Sequence, residues 1–357
     1  MFIRRKLLIL VFNLLDRLPV RVIKLIAKIL TPYSREKEEV IYHISSLATS
    51  KSFFRYTYSS IDNSKSLSKQ LQIICVIDEK NFWGLTDRLR GCISIFRYCQ
   101  LNNYDFKIYF KHPFDLEWFL VPNKYDWRID ETDISYDKNL TYSFWLGELD
   151  GSFKNLDSCQ KKSLDWICQK KHLRQLHLYT NTQFLIQHYS EDFNSLFTKS
   201  PYLESHLSKH KELLQNKYIS ISFRFINLLG DSEENVMGFY VLNESDRKDL
   251  IDKCIEEVKQ IKLNNPDITQ FLITSDSNYF LEKCCNIANV YIVQNKHYHM
   301  GYTDMKNMEH HLKPFLDLYM IAGAQIVYQV KLYGMYKSGF PEKAALIYNR
   351  PYVLIER

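Results

Sequence analysis

Apolar residues along the chain alternate between short runs and stretches with helical spacing. The short runs predict strands at 71–77, 106–110, 175–179, 218–223, 271–274, 290–293 and 325–328. Between them, helices are predicted at 85–96, 113–120, 164–171, 191–214, 244–263, 279–288, 312–322 and 341–348, with Pro201 opening the second of two helices in 191–214. An aromatic, acidic stretch that ends near residue 151 gives no clear prediction. Strands that alternate with helices predict parallel sheets and an α/β fold.

The first strand leads into a turn that carries charged residues. Gly84 opens the sequence Gly-Leu-Thr-Asp-Arg-Leu-Arg-Gly, in which Asp87, Arg88 and Arg90 lie in the first turns of a predicted helix. The helix macrodipole disfavours cations at this end. Arginines here therefore favour an anion-binding role, to which the free backbone N–H groups add. The alternative is an ordinary turn with solvated arginines.

Polar residues also stand at the ends of two later strands. Ser222 and Arg224 end the fourth predicted strand, and a planar guanidinium can hold phosphate oxygens with two parallel hydrogen bonds. Ser275 and Asp276 end the fifth. Because ligands of parallel sheets bind at the carboxyl ends of the strands, these residues are candidates for one site. Asp276 could instead cap the helix predicted at residue 279.

A fourth candidate motif precedes the last predicted helix. Ser338, Gly339 and Phe340 stand just before it, with Pro341 in its first turn. A hydroxyl and free N–H groups at a helix N-terminus can bind phosphate. A serine N-cap with proline at the helix start is the alternative, and both can hold at once.

These motifs, in this order, resemble the fucosyltransferase superfamily that includes the nodulation, xyloglucan, α-1,6- and protein O-fucosyltransferases. The resemblance covers most of residues 70–350. It implies a GT-B glycosyltransferase fold, in which two Rossmann-like α/β domains face a central cleft. The chain departs from the family at Ser222, which stands where the family has the histidine of a His-x-Arg motif.

The resemblance also implies roles for single residues. Arg224 would bind the diphosphate of the sugar nucleotide, and Asp276 would recognise guanine. Glu233 and Glu234, in the loop after Arg224, are candidate general bases by position, with Asp231 as a further candidate. The remaining candidates for donor binding are Gly84, Asp87, Arg88, Ser222, Ser275, Ser338, Gly339 and Phe340.

The reaction that the resemblance implies is inverting transfer of fucose from GDP-fucose to a glycan or lipid-linked glycan, as in the synthesis of bacterial capsule, lipopolysaccharide or exopolysaccharide. Another nucleotide sugar is one alternative, and a non-catalytic, membrane-peripheral binding protein is another. The chain contains no Asp-x-Asp element. We therefore expect transfer without a metal cofactor, against a metal site built from His297, His299, His310, His311 and Asp304.

Charge is concentrated at the start of the chain. The whole chain carries a net charge of +6, and residues 1–30, with seven Lys or Arg and one Asp, account for all of it. Arg17, Arg21, Lys24 and Lys28 form a cationic stripe on an otherwise apolar helix, a pattern typical of interfacial helices. The apolar run at 7–15 is shorter than the ~20 residues of a membrane span. The alternative is a helix that docks on the protein's own core.

Localisation and domain organisation follow from these patterns. With no small-residue cleavage site after the apolar run, we expect a cytoplasmic protein attached to the inner face of the membrane through residues 1–30, with no nucleic-acid partner. A chain of 357 residues favours two domains. We predict a basic amphipathic segment at 1–35, an acceptor-side domain at 40–215 and a nucleotide-sugar domain at 216–357. The eight cysteines form no C-x-x-C pair and are expected to be reduced.

Overall fold

The computed structural model describes residues 14–30, 38–54, 57–58, 67–80, 83–147, 153, 155–214, 217–231, 240–293 and 307–357. They form two compact units. Unit 1 comprises the described residues up to Trp83 together with Asp87–Lys111 and Tyr125–His188. Unit 2 comprises Gly84–Thr86, His112–Lys124 and Tyr189–Arg357.

Strands and helices alternate along the described chain. The strands are β1 (Gln72–Ile77), β2 (Asp105–Phe110), β3 (Leu120–Pro122), β4 (Thr141–Leu146), β5 (Gln175–Thr180), β6 (Phe197–Lys199), β7 (Tyr218–Phe223), β8 (Gln270–Ser275), β9 (Val290–Tyr291), β10 (Val327–Lys331) and β11 (Tyr352–Glu356). The helices are α1 (Val20–Leu30), α2 (Glu38–Phe54), α3 (Leu85–Asn102), α4 (Leu156–Ile167), α5 (Tyr189–Leu196), α6 (Pro201–Leu214), α7 (Glu244–Leu263), α8 (Asn278–Cys284), α9 (Met308–Gly323) and α10 (Phe340–Ile347).

Unit 1 is built on a parallel sheet with strand order β2-β1-β5-β4. Its inner strands β1 and β5 are buried almost throughout, which is why β1 is a nearly continuous apolar run rather than an alternating one. Gly91 on α3 lies against the end of β5: a Cβ atom there would stand 2.4 Å from the Thr180 carbonyl oxygen. Glycine therefore allows α3 to approach the sheet closely.

Unit 2 is built on a second parallel sheet with strand order β11-β10-β7-β8-β9. The central strand β7 is buried throughout, and its apolar side chains share a core with those of β8 and α7. Helix α7 begins where the sequence predicts, because the Asn243 side chain accepts a hydrogen bond from the Asp246 N–H. The two sheets and their helices confirm the predicted α/β class.

The structure differs from the predicted elements at several places. Residues 113–120, predicted as helical, form only a short 3₁₀ turn at Leu116–Trp118 followed by β3. Strands β4, β6 and β11 and helix α2 were not predicted, and β6 interrupts the stretch 191–214 that was predicted as helical. The residues of β4 are only partly buried and lie within the unassigned aromatic stretch, and their pattern shows neither a clean apolar run nor a strict alternation.

The change from unit 1 to unit 2 near residue 188 lies earlier than the predicted domain boundary at 215/216. Helices α5 and α6 belong to unit 2 because they pack on α10 and α9, respectively. The Ser190 hydroxyl donates to the Ile347 carbonyl at 2.9 Å, and the Asn194 amide donates to the same oxygen at 3.0 Å. A short two-stranded pairing of β3 with β6 also lies in this unit.

Helix α1 packs on α2 of unit 1, as the docked-helix alternative anticipated for one of its faces. Ile23 is completely buried, and Asp16 before the helix accepts hydrogen bonds from Lys170 at 2.6 Å and Tyr142 at 2.8 Å. Arg21 and Lys24 are exposed on the outer face. In the described residues, no helix combines the length and the apolar character needed to cross a membrane.

All eight cysteines lie within the described residues, and all are free thiols. Cys285, at the end of α8, is exposed, whereas the other seven are buried or half-buried. Burial raises the pKa of the Cys168 thiol to about 12.

Candidate active site

The carboxyl ends of three neighbouring strands in unit 2 bring the predicted site motifs together. In register, Phe223 at the end of β7 pairs with Ser275 on β8 and Val330 on β10. Arg224 and Asp276 therefore follow side by side. From the β10 side, the N–H of Tyr336 donates to the carbonyl of Arg224 at 3.2 Å. The motifs of Arg224 and Asp276 are thus adjacent, and the segment that leads to Ser338 contacts Arg224.

Asp276 is held by the loop that follows β7. Its Oδ1 accepts the N–H of Phe225 at 2.9 Å, and its Oδ2 accepts the N–H of Ile226 at 2.7 Å. The side chain is only 2% exposed. Asp276 is not the N-cap of α8: that role belongs to Ser277, whose hydroxyl accepts the N–H of Phe280 at 3.0 Å. The Ser275 hydroxyl accepts the N–H of Ser277 at 3.1 Å.

Arg224 lies beside Asp276 but reaches toward solvent. Its Nη1 stands 3.4 Å from Oδ2 of Asp276, and its side chain is 25% exposed. A guanidinium carries five N–H donors in a fixed fork and can hold an anion with two parallel hydrogen bonds. The pair places a partly exposed positive group at the edge of a sheet where parallel strands commonly bind ligands.

The turn after Arg224 has an unusual backbone. Ile226 has φ of 54°, a left-handed conformation that is rare for a β-branched residue. Such a conformation costs about 1–3 kcal/mol and persists only where its surroundings stabilise it. The consecutive N–H groups of Phe225 and Ile226 point at one carboxylate, an arrangement that forms an anion-binding concavity in other proteins.

Ser222 is placed differently from Arg224. It is buried, and its hydroxyl is hydrogen bonded to that of Thr274 at 2.8 Å, on the neighbouring strand β8. The hydroxyl pair joins β7 to β8 one residue before the strand ends. Its position thus supports the sheet beneath Arg224.

Ser338, Gly339 and Phe340 form the start of α10. The Ser338 hydroxyl accepts the N–H of Phe340 at 3.2 Å, so it satisfies one of the free donors of the helix. Gly339 occupies the N-cap position and is exposed, and no side-chain bond caps the helix from this residue. Ser338 is therefore not the N-cap that the alternative expected, although its hydroxyl binds the first N–H of the helix from one residue earlier, and the remaining N–H groups of the first turn keep the positive end of the helix dipole.

The charged residues of the first turn contact unit 1. Arg88 is only 2% exposed: its Nε donates to the Trp83 carbonyl at 2.7 Å, and burial lowers its pKa to about 10. Asp87 forms an ion pair with Arg90 at 3.4 Å. Gly84, just before α3, is exposed. Arg90 also donates to a backbone carbonyl. Neither Arg88 nor Arg90 is therefore a fully solvated side chain, as an ordinary turn with solvated arginines would have it.

The general-base candidates divide between the described and undescribed parts of the chain. Glu233 and Glu234 lie outside the described residues. Asp231 is among the described residues. Its Oδ2 accepts hydrogen bonds from the Ser277 hydroxyl and the Tyr279 N–H, both at 2.9 Å, and so stabilises the N-terminus of α8.

The histidine cluster considered as a metal site lies partly outside the described residues, which include neither His297, His299 nor Asp304. His310 and His311 lie on α9. Within the described ranges, no three His, Cys, Asp or Glu side chains come close enough together to hold a metal ion.

Comparison with known proteins tests the fold. No family model matches the sequence, and the curated proteins give no significant sequence match. A mutant of Arabidopsis thaliana FUT1 in complex with GDP superposes with a TM-score of 0.52 at 12% identity, over 88% of this chain and 80% of its own. This chain has a fucosyltransferase-like fold.

Other structures of the same kind agree. Fucosyltransferase NodZ from Bradyrhizobium aligns with a TM-score of 0.51 and 12% identity, over 78% of this chain and 94% of its own. A NodZ crystal soaked with GDP-fucose gives a TM-score of 0.50 over 78% of this chain. The fucosyltransferase-like fold confirms the GT-B fold type that the four sequence motifs implied.

Proposed function

We propose that this protein is a glycosyltransferase that transfers fucose from GDP-fucose to a glycan or lipid-linked glycan acceptor, with inversion, in the synthesis of a bacterial surface polysaccharide such as capsule, lipopolysaccharide or exopolysaccharide. One observation carries the proposal. Arg224 stands partly exposed at the carboxyl edge of the unit 2 sheet, at the strand end implied by its motif, in a fold shared with structures that contain GDP or GDP-fucose.

The chemistry of the reaction explains why Arg224 matters. Breaking the bond between sugar and phosphate leaves negative charge on the departing diphosphate. Fixed donors that meet this charge lower the barrier because they need no reorganisation at the moment of reaction. The Arg224 fork and the N–H groups at Ser338 and Gly339 are the donors that we assign to this task. With the leaving group stabilised by such donors, transfer proceeds without a metal cofactor.

The acceptor hydroxyl must lose a proton during transfer. Glu233 and Glu234 remain our candidates for the base, on their position in the loop after Arg224. Asp231 is a weaker candidate because its carboxylate already accepts two hydrogen bonds at the start of α8.

The outer face of α1 supports attachment to a membrane. Arg21, Lys24 and Leu25, which is 58% exposed, are exposed on this face, and Leu14, 63% exposed, and Arg17 are exposed in the segment just before the helix. Cations beside exposed aliphatic side chains bind anionic lipid surfaces by charge and by shallow insertion. Because Ile23 packs on the protein, the helix binds through this outer face, and we place the protein on the cytoplasmic side of the membrane.

A nucleotide panel tests the proposal. Purified protein is heated with GDP, UDP or CMP, and its Tm is recorded. At about 100-fold above its Kd, a ligand adds about 2.7 kcal/mol to the free energy of unfolding, which is readily seen as a rise in Tm. We expect GDP alone to raise Tm, and GDP-fucose to be slowly hydrolysed.

Each other outcome supports a different function. A rise with UDP or CMP in place of GDP would retain the enzyme and change the donor. No rise with any nucleotide would favour the non-catalytic membrane-peripheral binding protein.

A further inference from the structure

The role of Asp276 is set by contacts inside unit 2. We propose that Asp276 is a positioning residue: its carboxylate holds the turn at Phe225 and Ile226 and orients the Arg224 guanidinium, and it does not contact the nucleotide base. That the ligand of Arg224 is a nucleotide rests on the proposed function, whereas the contact of Asp276 with the turn does not. This role differs from the guanine recognition that the family resemblance implies for the same residue.

The first step of the argument concerns the turn. Both carboxylate oxygens accept backbone N–H groups, from Phe225 at 2.9 Å and from Ile226 at 2.7 Å. The carboxylate thus fills the anion-binding concavity that these two amides form. Ile226 adopts φ of 54°, which a β-branched residue avoids unless its surroundings impose it. Asp276 supplies that constraint directly after Arg224 in the chain.

The second step concerns Arg224 itself. The oxygen that accepts the Ile226 N–H also lies 3.4 Å from Nη1 of Arg224. The Arg224 carbonyl is held from the other side by the N–H of Tyr336. The backbone and one guanidinium nitrogen of Arg224 are therefore both held in place at the end of β7.

The third step concerns what Asp276 can reach. Its side chain is 2% exposed, whereas that of Arg224 is 25% exposed. A base edge could meet the carboxylate only if the turn moved and gave up two backbone hydrogen bonds. Burial thus favours an internal role for Asp276 and leaves the contact with ligand to Arg224.

A double-mutant cycle on GDP affinity tests the proposal. Arg224→Ala, Asp276→Asn and the double variant are compared by calorimetry with the wild-type protein. In Asp276→Asn, one carboxylate oxygen is replaced by an NH₂ group that cannot accept an N–H, so one of the two hydrogen bonds that hold the turn is lost. If Asp276 acts through Arg224, its substitution should weaken GDP binding by about fivefold or more alone, and less than about twofold in the Arg224→Ala background.

The opposite result is equally clear. A residue that contacts the base on its own would lower GDP affinity by the same factor in both backgrounds, and its substitution would leave the affinity for inorganic pyrophosphate unchanged. Either finding would overturn the proposal. A merely structural role would destabilise the fold but leave the GDP affinity of the folded variant at the wild-type value, which would also overturn it.

A second measurement needs no ligand and separates this proposal from the proposed function. Hydrogen exchange at the Phe225 and Ile226 amides should become faster in Asp276→Asn, and stay at the wild-type rate in Asp249→Asn, a carboxylate change on the exposed side of α7. Unchanged exchange would contradict the hold on the turn. If the wild-type protein binds no GDP, the proposed function fails. The hydrogen-exchange measurement still tests whether Asp276 holds the turn. Should Asp276→Asn not fold, Asp276→Glu replaces it in both measurements.

Discussion

Arg224 combines a fixed backbone with a guanidinium that is partly open to solvent. Arg224→Lys keeps the positive charge but loses the fork that can hold two phosphate oxygens. The contact strengthens as charge develops on the leaving diphosphate, so the loss falls mainly on turnover. We expect kcat for fucosyl transfer to fall roughly tenfold to a thousandfold, with a smaller change in GDP affinity.

The control for this variant is Arg128→Lys, which alters an exposed arginine of unit 1 paired with Asp126. Initial rates with GDP-fucose should match those of the wild-type protein. Wild-type rates in Arg224→Lys itself would refute both its role and the alignment of the motif around Ser222.

Two buried histidines make unit 1 sensitive to acid. Burial lowers the pKa of His43 to about 3, with a smaller contribution from the charge of Lys170, and burial lowers the pKa of His177 to about 3. The unfolded chain therefore binds protons that the folded state excludes between pH 6.5 and about 3. The free energy of unfolding falls as pH falls through this window, by about 2 kcal/mol per histidine at pH 5.

Urea unfolding at pH 7 and pH 5 measures this effect. His43 stacks on Phe144 and meets Trp166 edge-on, so phenylalanine is a matched replacement in shape. Between pH 7 and pH 5, the free energy of unfolding of His43→Phe should fall by about 2 kcal/mol less than that of the wild-type protein. Equal losses in both proteins would show that His43 does not titrate on unfolding.

At the scale of elements, α1 presents one face to the protein and another to solvent. Charge reversal of this outer face and of the segment just before it, with Arg21, Lys24 and Arg17 changed to Glu, should abolish sedimentation with phosphatidylglycerol vesicles, because each cation near an anionic surface contributes about 1 kcal/mol. GDP binding should be retained.

The matched control changes charge elsewhere. Lys259, Lys283 and Lys337 changed to Glu carry the same total charge change at positions outside α1. That variant should still sediment with the vesicles. Vesicle binding by the α1 variant at the wild-type level would place the membrane contact elsewhere.

Local sequence signals predicted most elements because those elements depend on neighbours in the chain. The start of α7 follows from the Asn243 cap, and β7 follows from its own apolar run. Strand β11 is an edge strand whose residues are mostly half-buried or exposed. Its formation depends on pairing with β10, and the residues of β11 alone give no sign of that pairing. Likewise, the sequence showed that one face of α1 is apolar, but it did not show that this face packs on α2.

At the scale of the whole molecule, the site was predictable in position but not in contacts. The rule that ligands bind at carboxyl ends of parallel strands places Arg224 and Asp276 side by side. That Asp276 would accept the N–H groups of Phe225 and Ile226 was not predictable, because about 50 residues separate them. Only the paired register of β7 and β8 brings them together.

The proposed reaction of the whole enzyme uses protein donors in place of a cation. Transfer from GDP-fucose should therefore proceed at an unchanged rate in excess EDTA, after the protein has been passed through a chelating resin. A rate that is lost in EDTA and restored by Mn²⁺ or Mg²⁺ would contradict this mechanism. It would also direct attention to the histidines near residue 300.

The exposed thiol at the end of α8 offers a place for a spectroscopic label. A maleimide dye reacts with accessible thiolates, whereas the other cysteines are shielded by burial. Helix α8 begins two residues after Asp276, so a fluorophore on Cys285 sits on the element that leaves the site. Changes in its emission would then follow nucleotide arrival in real time without any engineered cysteine.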